Sequence, residues 1–400
     1  KKWYGPDNQA IIVVGDIDVD KIEDKIKALW ADVPARENRG ERPLYSVNDN
    51  IEPIVAIVRD KEAQNTRIEL EFKKGKLPKE FRGTDAAYVQ AGMLDLICEM
   101  LNNRFQELSV DPNATFVGAG SFYGETVKEK DAFTAVYIAK QGQETQAYKD
   151  LLTQLEKMRR YGFTTSELER VKKERLSYYE KAYNERGTVR NISRAQECIR
   201  HYLDGAPMTG EEWEYNMMQQ ILPMVNVDML NQVAQQLVTD ENLIIAFQAP
   251  MEVVLPNEAE AVELLAAVKN EEIEAPVEEA IRENLVEVAP KAGKIKKVTT
   301  NEELGTTEWT LSNGVRVVIK PTEFKQDEIL FSAFSKGGQS LVATEDLVSA
   351  ALATDVVSVS GIADMTMTDL QKALTGKNVS CSPSINANTE SIDGGSTVKD

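Results

Sequence analysis

The spacing of apolar residues predicts alternating strands and helices from the start of the chain. An apolar run at 10–14 is typical of a strand, and Asp18 is placed to cap a helix over 19–30, where apolar residues recur every three or four positions. Residues 54–58 are apolar throughout, and 66–72 alternate between apolar and charged, so both are predicted strands. The opening order is therefore strand, helix, strand, strand.

Helices dominate the continuation, interrupted by one pair of strands. A long helix is predicted at 84–108, and two antiparallel strands follow it at 116–123 and 132–139. Thr164-x-x-Glu167 is a capping box, in which each side chain bonds the other residue's backbone N–H, so a helix is expected to begin there. Helices are predicted at 148–161, 164–183, 189–203, 210–220 and 228–237, and a closing strand at 243–247.

The pattern changes after the closing strand. Residues 251–304 are rich in Glu, with Ala, Pro and Lys interspersed, and are predicted to form an acidic interdomain linker with one or two partly exposed helices. Beyond it, Asn313-Gly314 separates two alternating runs, which is a strong hairpin signal. A strand at 329–335 and helices at 346–357 and 366–374 follow.

Composition and charge narrow the classes of function. A chain of 400 residues with 42% hydrophobic residues is expected to fold into at least two globular domains. Its formal net charge of −19 argues against nucleic-acid partners and against anionic membrane surfaces, because both require clustered Lys and Arg. No apolar run is long enough to predict a membrane span. The three cysteines, Cys98, Cys198 and Cys381, have no disulfide or metal spacing, and Cys98 is expected in the core.

Several segments occur in a recognisable order. They are the opening stretch from Tyr4 through Val-Val-Gly-Asp-Ile-Asp18, then Leu101-Asn-Asn-Arg-Phe-Gln-Glu-Leu108, then Tyr161-Gly-Phe-Thr-Thr-Ser-Glu-Leu-Glu-Arg-Val-Lys172, and finally Leu-Ser-Asn-Gly-Val-Arg-Val-Val at 311–318. In this order they resemble the pitrilysin or insulinase (M16) family of zinc metallopeptidases. The resemblance implies an α+β fold of M16-type domains in series, each with an antiparallel sheet packed against helices.

The resemblance also implies a division of the chain and a role for it. Residues 1–250 are expected to be the non-catalytic second domain, 251–304 the linker, and 305–400 the N-terminal part of a degenerate, truncated third domain. The chain would then be the middle portion of a zinc metalloendopeptidase that degrades peptides in an enclosed chamber. Its partners would be peptide substrates, an upstream catalytic domain and a downstream fourth domain, with the bacterial periplasm as the favoured location. The alternative is a degenerate scaffold or partner subunit without peptidase activity.

Catalytic zinc chemistry is where the sequence departs from the family. The family's His-x-x-Glu-His motif needs two imidazole ligands on one helix, and this chain has a single histidine, His201. In the expected third domain, the corresponding helix contains Asp355 and neither imidazole. We therefore expect no catalytic residue and no metal ligand here, so that any zinc would belong to the parent protein and none to this chain.

Three residues at 194–202 are candidates for substrate binding. The family's fourth domain uses an Arg and a Tyr to stabilise the transition state, and by that analogy Arg194, His201 and Tyr202 are candidates. The alternative is that His201 is an ordinary residue of a helix surface or a domain interface. Both interpretations remain open at the level of the sequence.

The absence of the zinc motif gives a first testable prediction. The purified chain should bind no stoichiometric zinc by elemental analysis and should leave unstructured peptides intact, because two imidazole ligands are missing. Cleavage that a chelator abolishes, and that survives the exclusion of contaminating proteases, would contradict the prediction.

Overall fold

The computed structural model describes residues 5–34, 43, 45–278 and 284–400. Trp3 and Tyr4, which belong to the opening segment, lie outside the described residues. The chain divides into two compact units, the first comprising Lys1–Lys172 with Val189–Glu279 and the second comprising Lys173–Thr188 with Ala280–Asp400. Each unit is described separately below.

The first unit combines helices with one mixed sheet. Its elements are α1 (Val19–Trp30), β1 (Ile54–Arg59), β2 (Thr66–Gly75), α2 (Asp85–Ser109), β3 (Phe116–Val127), β4 (Lys130–Ala139), α3 (Glu144–Tyr161), α4 (Thr165–Asn184, divided between the units at Lys172), α5 (Asn191–Asp204), α6 (Glu211–Ile221), α7 (Val227–Leu237), β5 (Leu243–Ala249) and α8 (Glu258–Val268). The five strands lie in the order β1-β5-β2-β4-β3, and only the β1–β5 pair is parallel. The predicted α+β fold, a largely antiparallel sheet with helices, is confirmed.

The core of the first unit lies between one face of this sheet and the helices α2 and α3. Phe72 of β2 stacks on Phe133 of β4 with ring centroids 6.0 Å apart. Phe105 of α2 meets Tyr137 of β4 edge to face at 5.2 Å. All four rings are fully buried or nearly so, and each contributes on the order of 1.5–3 kcal/mol of hydrophobic stabilisation. Cys98 of α2 is buried here too, as its apolar neighbours predict, and burial raises the pKa of its thiol to about 12.

A nearly buried ion pair joins α2 to the start of α4. Arg104 Nε donates to Glu167 Oε1 at 2.6 Å, and Arg104 Nη2 donates to Glu167 Oε2 at 2.9 Å and to the Gly162 carbonyl oxygen at 2.8 Å. The two side chains are only 10% and 12% exposed. Glu167 also accepts from the Thr164 N–H at 2.7 Å, and Thr164 Oγ1 accepts from the Glu167 N–H at 3.2 Å, which confirms the predicted capping box.

The turn between α3 and α4 admits only glycine at residue 162. Gly162 has φ +64°, and a Cβ added there would lie 2.2 Å from the side chain of Asn231 on α7. Asn231 uses its amide to bond both backbone groups of Phe163, accepting from its N–H at 2.7 Å and donating to its carbonyl oxygen at 3.0 Å. The turn is thus held by α2, α4 and α7 together.

The second unit contains two separate three-stranded sheets. Its further elements are β6 (Ile295–Asn301), β7 (Thr306–Leu311), β8 (Arg316–Ile319), β9 (Ile329–Lys336), α9 (Leu347–Val359), α10 (Met367–Ala373), β10 (Val379–Ile385) and β11 (Thr389–Ser396). The sheets have the orders β6-β7-β8 and β10-β11-β9, and every pair is antiparallel. The hairpin predicted at Asn313-Gly314 joins β7 to β8, with Gly314 at φ +89°.

The predicted opening strand at 10–14 is not formed. Residues 10–14 pair with no strand in the part of the chain that the structure describes, and Ile11 and Val13 are exposed. An apolar run becomes a strand only when a neighbouring strand completes its backbone hydrogen bonds. The sequence shows the run but not the partner, so the prediction was wrong. The following helix, α1, forms with the predicted cap, since Asp18 Oδ1 accepts from the Lys21 N–H at 3.1 Å.

Residues predicted as linker contribute regular elements to both units. In the first unit, α8 packs on α3: Tyr148 Oη donates to the Ala261 carbonyl oxygen at 3.1 Å. Arg160 donates to the carbonyl oxygens of Lys269 and Glu271 just beyond α8. In the second unit, β6 pairs with β7. The division at 250 and 304 remains a prediction: one boundary between the two compact units, after Glu279, falls inside the predicted linker, whereas those after Lys172 and Thr188 fall inside the predicted domain 1–250. No helix among the described residues is both long and apolar enough to cross a bilayer.

The Arg104–Glu167 pair predicts a specific pH dependence of stability. Burial would raise the pKa of Glu167, but the Arg104 and Thr164 hydrogen bonds outweigh it and hold that pKa below its ordinary value. The stabilisation is therefore complete above about pH 4.3, the ordinary glutamate value, and is lost as the pH falls through the lower folded-state pKa. Glu167→Gln should lower the free energy of unfolding at pH 7 by about 3 kcal/mol in denaturant titrations, because it leaves the guanidinium uncompensated. The variant should also lose the part of the pH dependence that comes from titration of Glu167.

The control for this prediction lies on the same helix. Glu169 pairs with Lys172 at 2.8 Å and is 47% exposed, so Glu169→Gln should cost less than about 1 kcal/mol. Equal losses for the two variants would contradict the assignment of the Arg104–Glu167 pair as a key contact.

Candidate functional site

The three candidate residues all lie on α5. Arg194 Nη2 donates to Glu211 Oε2 at 2.7 Å, and this bond raises the pKa of Arg194. His201 Nδ1 lies 2.7 Å from the Ala206 carbonyl oxygen, just past the end of α5. Tyr202 is 51% exposed. The guanidinium and the imidazole are thus engaged in local contacts of the protein, and a role in substrate binding remains a prediction.

Metal-ligating side chains do not converge in the part of the chain that the structure describes. No group of three or more His, Cys, Asp and Glu residues there could hold a metal ion. Asp355 lies in α9, and no histidine accompanies it in the sequence. The residues present therefore do not fit the zinc site of the family, and no catalytic step is assigned to this chain.

A polar cavity of about 630 Å³ lies in the second unit. The polar side chains around it are largely bonded to one another. Asn378 Nδ2 donates to Ser177 Oγ at 2.6 Å, and Lys399 Nζ donates to Glu180 Oε2 at 2.8 Å. Because these groups already satisfy each other, the cavity offers little to recognise a ligand.

The strand β3 forms one edge of the sheet in the first unit. It is 12 residues long, whereas β1, at the opposite edge, has 6 residues. At about 3.3 Å per residue, β3 offers roughly 40 Å of strand. Val117 and Phe122 are both more than half exposed along it. An edge of this length can pair with another extended chain through its backbone groups.

The hydrogen bonds of the Asn102 side chain show which backbone groups of β3 face outward. Ser121 donates its N–H to Asn102 Oδ1 at 2.6 Å, and its carbonyl oxygen accepts from Asn102 Nδ2 at 3.0 Å. The backbone groups of Ser121 therefore point away from β4. In an antiparallel pair this direction repeats at every second residue, and the register is regular from Gly118 to Glu125. The N–H and C=O groups of Ala119 and Tyr123 accordingly also face outward.

The sheet face beside this edge is open. A Cβ added at Gly120 or Gly124 would meet nothing within 4 Å. On the opposite face, Tyr123 is partly buried, and burial, together with the nearby Asp131, raises its pKa to about 12. Tyr123 is therefore neutral at physiological pH and adds no charge to the edge. The face of β3 that carries Gly120 and Gly124 is therefore open.

Sequence reasoning found β3 but missed its importance. The residue pattern predicts the strand at 116–123. The order of strands in the sheet, which makes β3 an edge, depends on long-range pairing that local patterns do not show. The available signal in the sequence was Gly118, Gly120 and Gly124, because glycine is uncommon in the interior of central strands.

Comparison with known proteins agrees with the fold. The family model of the peptidase M16 inactive domain matches residues 1–175. A zinc protease PQQL-like protein of Arabidopsis thaliana is 26% identical over 366 residues, covering 90% of this chain and 35% of that protein. The probable zinc protease PqqL of Escherichia coli is 23% identical over 392 residues, covering 96% of this chain and 41% of that protein. The crystal structure of the periplasmic protease PqqL from Escherichia coli shares the fold, with a TM-score of 0.59 at 20% identity over 100% of this chain and 44% of that chain.

These similarities agree with the resemblance that the sequence motifs indicate. Residues 1–175 match the inactive domain of the M16, or pitrilysin and insulinase, family. The chain spans 35% and 41% of the length of the two curated relatives. Both relatives are named as zinc proteases, the second as a probable one.

Proposed function

We propose that this chain is the non-catalytic middle portion of an M16-type zinc metalloendopeptidase and holds peptide substrates in an enclosed chamber. In this role it shapes the chamber wall while a catalytic domain elsewhere in the protein carries the zinc. The match of residues 1–175 to the inactive domain of the family is the observation that carries the proposal. The single histidine of the chain supports the non-catalytic part of it.

The edge of β3 is the surface on which we propose that peptides bind. An extended peptide would add a strand to the sheet, with its backbone bonding the outward groups of Ala119 and Tyr123. Such binding is independent of most side chains, which suits a protease that degrades varied peptides. The net charge of −19 favours peptides with basic residues through long-range attraction.

The location and the catalytic metal of the whole protein are further parts of the proposal. The PqqL protein of Escherichia coli is described as periplasmic, and we extend that location to this protein. Zinc would be bound by the catalytic domain of the same protein, and this chain would contact that domain and a fourth domain. These parts rest on similarity rather than on geometry within the chain.

Peptide binding to β3 predicts a loss of affinity when one outward N–H is removed. Ala119→Pro should weaken binding of a fluorescein-labelled decapeptide of alternating threonine and lysine at least tenfold in fluorescence anisotropy. Proline lacks the N–H, yet is tolerated on edge strands where that group faces outward. Ala119→Ser keeps the N–H and should bind the peptide as the unchanged chain does.

A modified peptide tests the same contact without altering the protein. The same decapeptide, N-methylated at every second residue on the edge that faces β3, should lose affinity to a similar extent. Equal binding of the methylated and unmethylated peptides would overturn the proposed site. No binding of any peptide would favour the alternative of a scaffold or partner subunit.

A further inference from the structure

The side chain of Asn102 takes the place of a neighbouring strand at the centre of the β3 edge. Its amide oxygen accepts from the Ser121 N–H at 2.6 Å, and its amide nitrogen donates to the Ser121 carbonyl oxygen at 3.0 Å. A side-chain amide presents the same donor and acceptor as a peptide group. Asn102 therefore makes the two bonds that an added strand would make at this residue.

The Ser121 hydroxyl adds further contacts between β3 and α2. The Ser121 hydroxyl lies 3.0 Å from Asn102 Oδ1 and 3.2 Å from the carbonyl oxygen of Cys98, both on α2. Ser121 is only 6% exposed, so its backbone groups would be poorly solvated if Asn102 left them. Unpaired buried groups of this kind are costly, and the amide therefore stays in place until another partner arrives.

The position of this contact decides which ligands can use the edge. A paired strand bonds β3 at every second residue, so a continuous peptide must engage Ala119, Ser121 and Tyr123 together. Asn102 occupies the middle of the three. A peptide too short to reach both Ala119 and Tyr123 would have to displace the two hydrogen bonds between Asn102 and Ser121 and would form few new hydrogen bonds in return.

We propose that Asn102 is an internal cap that competes with peptides for the edge of β3 and restricts binding to extended segments of at least about five residues. This inference rests on the proposed function, because it assigns a specificity-determining residue to the same peptide site. A bound peptide replaces the Asn102 amide at Ser121 and adds bonds at Ala119 and Tyr123. Shorter peptides fail to displace the cap.

The test uses the full chain with substitutions on α2. Asn102→Ala should speed hydrogen exchange of the Ser121 amide in the free protein, because its acceptor is removed. It should also tighten binding of the threonine–lysine decapeptide roughly tenfold, since two bonds of modest net value no longer have to be displaced. A tripeptide of the same composition should gain measurable affinity only in this variant.

Two further variants separate the cap from general effects on α2. Asn102→Leu is close in size, adds no charge and removes both the acceptor for the Ser121 N–H and the donor for its carbonyl oxygen, so it should tighten peptide binding even if the alanine variant folds poorly. Asn103→Ala changes the neighbouring residue, whose side chain makes no described hydrogen bond to β3, and should alter neither exchange nor affinity.

The outcomes distinguish this inference from the function on which it rests. If all variants bind the decapeptide equally and β3 amides become protected in each, the peptide site stands and the role of Asn102 is overturned. If no variant protects β3 when the decapeptide is added, both the site and the cap are overturned. Tighter binding by both Asn102 variants, with Asn103→Ala unchanged, would support the cap.

Discussion

A guanidinium and a carboxylate, both nearly buried, meet where α2, the turn after α3 and the start of α4 come together. Arg104 and Glu167 form two bonds with each other, and each also satisfies backbone groups of the turn. Removing either charge would leave the other uncompensated in a poorly solvated place, which is why such pairs resist single substitutions. Two of the segments that carry the resemblance to the family, at 101–108 and 161–172, are thus brought together by one contact.

The same contact has a consequence at the other side of α2. Residues two apart on an α-helix point about 200° away from each other, given 3.6 residues per turn. Arg104 faces the turn before α4, so Asn102 is aimed away from that turn, toward the edge of β3. The ion pair and the buried apolar residues Ile97, Leu101 and Phe105 together orient α2 about its axis, and in this orientation the Asn102 amide bonds Ser121. Contacts of the core thereby help to position the residue that we assign to the peptide site.

Much of the fold follows from local sequence signals, and its remaining features follow from long-range pairing. The capping box at Thr164 and Glu167 and the Asn313-Gly314 hairpin are encoded within a few residues, so they were predicted correctly. The apolar run at 10–14 pairs with no strand among the described residues, and a local pattern cannot show whether a partner strand exists. The docking of α8 on α3 depends on Tyr148 and Arg160, which lie more than 100 residues earlier in the chain.

The candidate site also depends on long-range pairing that the local sequence does not show. Arg194, His201 and Tyr202 are candidates by residue type and analogy, and in the structure Arg194 and His201 bond to Glu211 and to the Ala206 carbonyl oxygen. The edge of β3 is formed mainly by backbone groups, whose direction depends on strand order and register rather than on residue type. Nothing in the local sequence distinguishes Asn102 from other polar residues of a helix, because its role depends on its contact with Ser121 of β3.

Photo-crosslinking of a bound peptide tests the account most directly. A decapeptide of alternating threonine and lysine, with one central residue replaced by benzoylphenylalanine, would be irradiated with the full chain and the crosslinked residues identified by mass spectrometry. The account predicts crosslinks concentrated at 117–123 of β3 and at the neighbouring part of α2. Crosslinks confined to α5, around Arg194 and Tyr202, or to the second unit would contradict it.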